Sequence, residues 1–196
     1  MYTSKDKKKT ERMNQITSEA RSCLECALGH NRKNVVLGSG SLDSEIVLIG
    51  EAPGRREDES GLPFVGSAGK LLDKLLESAG FRRKDIFIGN ILKCRPPGNR
   101  RPKKAEVNSC ERLLLRQLEI IKPKVIAPMG NSAFSYFQSR YGLGEDVIGD
   151  AHGKIYNAEE SWGKIKLVPL YHPAAAIYRR QLLSDLEIDM KKVAEL

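Results

Sequence analysis

No run of apolar residues in this 196-residue sequence approaches the roughly 18 to 20 that a membrane-crossing helix needs, so an integral helical membrane protein is excluded. The N-terminus also lacks an apolar segment: positions 1–12 are lysine-rich and polar, unlike a secretory signal. Acid is in deficit. Asp and Glu number 25 against 33 Lys and Arg, giving a formal charge of +8 and a pI near 9.3. That surplus permits a polyanionic partner without demanding one. There is no internal repeat, and nine prolines with seventeen glycines punctuate a fold without signalling disorder. The length suits one domain with an ample core. The expected division is a flexible basic tail at 1–12 and a single domain at 13–196. Lacking an export signal, the chain is expected in the cytoplasm, where thiols stay reduced.

Cysteines are few but placed suggestively, at 23, 26, 94 and 110. Cys23 and Cys26 form a C-x-x-C pair whose thiolates can converge on one metal centre. A thioredoxin-like redox pair fits less well, because this pair does not follow a strand and open a long helix. Four thiolates suit a tetrahedral zinc or an iron–sulfur cluster, and spacing alone does not separate the two. With four cysteines available, His30 reads as an ordinary surface histidine.

The hydrophobic pattern alternates between strand and helix. Short apolar runs at Ile46-Val47-Leu48-Ile49, Ile86-Phe87-Ile88, Val125-Ile126-Ala127 and Leu167-Val168-Pro169-Leu170 predict four buried strands. Leu71, Leu72, Leu75, Leu76 and Ala79 recur at helical spacing and predict a helix over 68–79 closed by Gly80. Further helices are expected at 13–21, 104–121, 131–137 and 181–194, and 51–66 reads as loop. Strands alternating with helices imply a mostly parallel four-stranded sheet covered on both faces.

In such sheets ligands bind beyond the carboxyl ends of the strands. Glu51, Asn90 and His172 each stand at or within two residues of such an end. Glu51 lies in the tight Gly50-Glu51-Ala52-Pro53-Gly54 loop, whose backbone can approach a ligand closely. The Asn90 amide offers an acceptor and donors side by side, suited to the edge of a planar base. The His172 imidazole can donate a hydrogen bond to a leaving group. Phe64, between Pro63 and Val65, suits either the core or a base-stacking face.

Together these stretches resemble the family-4 uracil-DNA glycosylases, the iron–sulfur branch of the uracil-DNA glycosylase superfamily. The matching elements are Gly50-Glu51-Ala52-Pro53-Gly54, Gly61 to Gly66 with Ala68-Gly69, Gly89-Asn90, and His172-Pro173-Ala174-Ala175-Ala176, with the cysteines between them. The likeness runs from about Cys23 to the last helix. The sister branch, family 5, lacks a carboxylate in the first motif, so Glu51 places the likeness in family 4. The basic tail and the Arg55-Arg56 pair depart from the pattern and bear on local DNA contacts.

The resemblance implies an α/β fold, a three-layer α/β/α sandwich around that sheet, and a structural four-iron, four-sulfur cluster on Cys23, Cys26, Cys94 and Cys110. It also implies a monofunctional enzyme that flips uracil out of DNA and hydrolyses its bond to deoxyribose, leaving an abasic site. His172 would donate to uracil O2, and Glu51 would face the sugar and orient water. Asn90 would read N3–H and O4, Phe64 would stack on the base, and the amides of Glu51 and Ala52 would add contacts. Glu57 would block the thymine methyl. The segment after His172, Ile177-Tyr178-Arg179-Arg180, suits an apolar wedge backed by phosphate-binding arginines. Uracil-containing DNA is the expected partner, with a monomeric enzyme and a replication clamp as a further partner through a terminal segment. A non-enzymatic, metal-stabilised nucleic-acid-binding protein would explain the charge and cysteines, but not the three polar residues at strand ends.

Overall fold

The structure, a computed structural model, describes residues 4–196. The chain opens with α1 (Ser4–Ser22) and a short α2 (Leu28–Asn31), then enters β1 (Ile46–Gly50). Helices α3 (Arg55–Ser60) and α4 (Ser67–Ser78) lead to β2 (Phe87–Asn90), and α5 (Lys104–Ile121) leads to β3 (Val125–Pro128). After α6 (Asn131–Tyr141) and α7 (Ile148–Ala151) come the hairpin strands β4 (Tyr156–Glu160) and β5 (Gly163–Leu167). Helices α8 (Pro173–Tyr178) and α9 (Leu182–Ala194) complete the fold.

One sheet runs β2-β1-β3-β5-β4. β1 pairs in parallel with β2 and β3, and β3 with β5; only β4 is antiparallel. Every residue of β1 is buried, as a central parallel strand covered on both faces requires. Ile46 and Leu48 face a core shared with Leu72, Leu75 and Leu76 of α4 and Leu186, Met190 and Val193 of α9. Val47 and Ile49 face Leu114, Leu118 and Ile121 of α5 and Phe134 and Phe137 of α6. Burying each such side chain contributes roughly 1.5–3 kcal/mol. The three-layer α/β/α expectation is met. On its outer face, α5 turns Cys110, Leu113 and Ile120 toward Ile16 and Ala20 of α1.

Two expectations are corrected. The sheet has five strands instead of four, β4 being the addition. Its burial alternates half-buried and exposed, the pattern of a hairpin edge with one wet face, and it carries no apolar run to announce it. The predicted flexible tail is also helical from Ser4 onward, and only Met1 to Thr3 lie outside the described residues. Lys9 anchors it, donating to the Leu42 carbonyl at 2.9 Å and to Asp43 at 2.6 Å. Among the described residues, no helix is long and apolar enough to cross a membrane.

A candidate active site at the carboxyl ends of the strands

Glu51, Ala52, Glu57, Phe64, Asn90 and His172 line a single cavity of about 410 Å³, within the roughly 300–1,000 Å³ of small-molecule sites. The sheet explains the convergence. β1 and β2 end side by side, Gly50 opposite Asn90. Their pairing runs on as Ile91 N donates to the Gly50 carbonyl and Leu92 N to the Glu51 carbonyl, at 3.0 and 3.1 Å. Glu51 and Asn90 are thereby held on adjacent strand ends. His172 arrives beyond β5 and caps α8, with Pro173 at the first helical position.

The imidazole has a defined tautomer. Its Nδ1 accepts the backbone N–H of Ala174 at 3.1 Å. A backbone amide can only donate, so in the neutral ring the proton resides on Nε2. Although His172 keeps part of its surface open to the cavity, burial pulls its pKa from 6.5 down to about 4, with the Glu57 carboxylate opposing. His172 is therefore a neutral Nε2–H donor at physiological pH. It also stands in the wall of a second cavity of about 230 Å³, which shares Glu51 and His172 with the first and adds Arg101, Asn131, Ser132 and Tyr171.

Asn90 is 2% exposed. Among the described residues, none hydrogen-bonds to its side-chain amide, which is left for the cavity. The amide atoms are open to that cavity, where solvent or a ligand can complete their hydrogen bonds. Phe64 is 6% exposed and takes a left-handed backbone, φ 51°, with its ring stacked on His172 at 5.7 Å between centroids. Two glycines make room for it. A Cβ at Gly50 would lie 2.8 Å from the Phe64 ring and 2.4 Å from Asn90 Oδ1, and one at Gly69 would lie 1.7 Å from the Phe64 carbonyl oxygen.

Glu57 sits on α3, inside the stretch read from sequence as loop. Its Oε1 accepts the N–H groups of Val65 and Gly66, both at 2.9 Å, and so pins the turn that carries Phe64. The sequence offered no sign of this bond, because it joins residues eight and nine apart across a turn. The cavity also takes Pro96, Asn99 and Arg100, from the 93–101 segment that its basic residues and its cysteine tether suggest as a phosphate-contacting loop. The Arg100 fork is occupied by Glu106, with contacts of 2.9 and 2.5 Å, so it shapes the wall instead of reaching out for a phosphate.

The four cysteines gather around a separate, small cavity of about 20 Å³ that has no lining residue in common with the first. Arg32 Nη1 donates to Cys94 Sγ at 3.3 Å, Lys93 N to Cys110 Sγ at 3.3 Å, and Arg112 Nη2 approaches Cys23 Sγ at 4.0 Å. Burial raises the Cys94 thiol to about 11, with Arg32 opposing, and raises Cys110 as well. Buried sulfurs surrounded by N–H donors and cationic groups match the surroundings of thiolates that carry a metal group. Among the described residues, no set of three or more His, Cys, Asp or Glu side chains is poised for a metal ion. His30 is exposed and stands apart from the cysteine cavity.

Comparison with known proteins agrees with this geometry. The family model described as "Uracil DNA glycosylase superfamily" matches residues 37–192. A type-4 uracil-DNA glycosylase of Archaeoglobus fulgidus is 47% identical over 187 residues, covering 95% of this chain and 94% of its own. Those of Saccharolobus solfataricus and Sulfurisphaera tokodaii are 44% and 43% identical, each covering 94% of this chain and 86% and 84% of their own lengths. With the cavity at the strand ends, the match across most of the sequence and these relatives all in agreement, the chain belongs to the uracil DNA glycosylase superfamily, in its type-4 branch.

Proposed function

We propose that the protein is a monofunctional uracil-DNA glycosylase, a hydrolase that removes uracil from DNA and leaves an abasic site. One observation carries the reading: a carboxylate, a buried amide without a described partner and a neutral imidazole donor meet in one cavity floored by an aromatic ring. Breaking the bond between C1′ and N1 builds positive charge on the sugar and negative charge across N1, C2 and O2 of the departing base. Fixed dipoles in a site that excludes water stabilise both.

His172 donates its Nε2–H to O2 as the anion forms, and a neutral ring does so without giving its proton away. Glu51, in the wall between the two cavities, faces the sugar and orients the attacking water. One such group is worth roughly 3 to 4 kcal/mol, a hundred- to thousandfold in rate. Asn90 accepts from N3–H and donates to O4, a pattern that cytosine reverses, while Phe64 packs on the base and the Glu51 and Ala52 amides add contacts. Glu57 stands where it can exclude the thymine methyl, with its Oε1 engaged in holding the Phe64 turn. Ile177 and Tyr178, 43% and 88% exposed, follow His172 by one helix. They enter the gap left by the extruded nucleotide, with Arg179 and Arg180 on phosphates.

Cys23, Cys26, Cys94 and Cys110 would hold the four-iron, four-sulfur cluster, whose chemistry when bound is to cross-link the segments at 23–26, 94 and 110. Its separation from the substrate cavity supports a structural role. The test is incubation with an oligonucleotide carrying one uracil, followed by alkali. Scission at the uracil is expected, and an intact strand from folded, iron-loaded protein would refute the assignment.

A further inference from the structure

Lys93 is among the largest fully buried side chains, at 0% exposure, and among the described residues no carboxylate pairs with it. A buried lysine without an acid partner is expensive to maintain. Its contacts show what it joins. Its Nζ donates to the backbone carbonyl of Asn90 at 2.7 Å and lies 3.5 Å from that of Leu37. Its own backbone is fixed at both ends: the N–H donates to Cys110 Sγ at 3.3 Å, and the carbonyl accepts from Val36 N at 2.8 Å. The next residue is Cys94. A stem of four methylenes thus spans from the cysteine cavity to the end of β2, where the amide without a described partner begins.

We propose that Lys93 is a positioning residue for base recognition, its buried Nζ holding the Asn90 main-chain carbonyl and thereby the stretch of backbone from which the amide meets the pyrimidine. A side chain reads a base edge only where the backbone that carries it keeps a fixed place on the cavity wall. The Asn90 backbone is held from one side by the ladder to β1. Lys93 supplies the hold where the strand ends and the chain turns away. Its anchorage beside Cys110 and Cys94 makes the cysteine site the fixed point of that hold. The inference rests on Asn90 reading the base.

The experiment measures free-uracil affinity by calorimetry and abasic-site DNA affinity by fluorescence anisotropy, alongside visible absorbance as a report on the cysteine site. Lys93→Met, which keeps the stem and removes the donor, is expected to bind uracil at least tenfold more weakly. Abasic DNA binding and absorbance should stay within twofold of wild type. Gln117→Leu is the packing control, because Gln117 Nε2 donates to the same Leu37 carbonyl at 2.9 Å but does not touch Asn90; its uracil affinity should hold within twofold. Uracil affinity preserved in Lys93→Met, or lost equally in Gln117→Leu, or lost in step with DNA binding, overturns the positioning role. Should Lys93→Met not accumulate as folded protein, Lys93→Leu, which likewise lacks any donor, carries the same expectations and the same refutations. Wild-type protein that binds no uracil overturns the base-reading role of Asn90 together with this one, whereas wild-type binding with an unaffected Lys93→Met overturns this one alone.

Discussion

If His172 works as a neutral donor, acidification should leave excision nearly untouched over a range where an ordinary histidine would titrate. Burial holds its imidazole at a pKa of about 4 instead of 6.5. At about pH 5 such a ring is roughly one-tenth protonated, whereas an unperturbed one would be about 97% protonated. Were only the neutral form productive, the rate would fall about 1.1-fold in the first case and about 30-fold in the second. The assay is single-turnover excision from a uracil oligonucleotide at about pH 7.5 and about pH 5. Nitrogen-15 histidine spectra report the ring directly, and with three histidines in the chain the assignment is tractable. His172 should remain the Nε2–H tautomer at both pH values. A thirtyfold loss in rate that tracks protonation of His172 would refute the reasoning, because the ring would then be solvated and its hydrogen bond from Ala174 would not define it. The gap between the two pKa values corresponds to roughly 3 kcal/mol, as an order of magnitude. Its sign is fixed: the folded state resists protonation, so this stability is whole above about 6.5 and lost as pH falls through about 4.

Glu51→Gln should lower turnover by roughly a hundred- to thousandfold while DNA affinity stays near wild type; equal losses in both would deny the carboxylate a role in the chemical step. Asn90→Asp should cut uracil excision by at least about tenfold, because a carboxylate cannot donate to O4, and an unchanged rate measured in the same gel assay would remove Asn90 from base readout. Glu57→Ala removes the acceptor of two amide hydrogen bonds. Stability should drop by about 2 kcal/mol in thermal melts, and thymine opposite guanine should become a detectable substrate; failure to release any thymine would dismiss Glu57 as the gate. Purified protein should be yellow-brown with broad absorbance near about 400 nm, and a colourless, zinc-loaded preparation would overturn the cluster.

The parts of the fold that bury apolar runs could be read from the chain directly. β1 to β3 are short hydrophobic stretches, and α5 falls on the expected residues, 104–121, because its leucines keep helical spacing until Pro123. What escaped lacked such a signal. β4, Tyr-Asn-Ala-Glu-Glu, is made largely of residues that disfavour strands. It exists because its register with β5, from Tyr156 opposite Leu167 to Glu160 opposite Gly163, completes the sheet edge. The first half of α1 has charge without apolar period, and Ile16 and Ala20 in its second half dock the helix on α5. For the site, strand-end logic singled out Glu51, Asn90 and His172, which the structure brings to one cavity, because parallel topology determines where strand ends converge. It could not find the Glu57 bonds to the Phe64 turn or the Lys93 tie to Asn90, since backbone acceptors and donors carry no letter in a sequence.

The two glycines beneath Phe64 bear on how this enzyme could be retooled for bulkier lesions. A side chain at Gly50 would collide with the Asn90 amide and the Phe64 ring, and one at Gly69 with the Phe64 main chain, so either change displaces the site itself. A Cβ at Gly66 would press on Glu57 Oε1, the oxygen that holds the Phe64 turn, at 3.4 Å, whereas one at Gly54 would meet Oε2, which makes neither of those bonds, at 2.7 Å. Directed evolution toward larger bases thus has its latitude at Gly54, and variants altered at Gly50 or Gly69 should vanish from any surviving library.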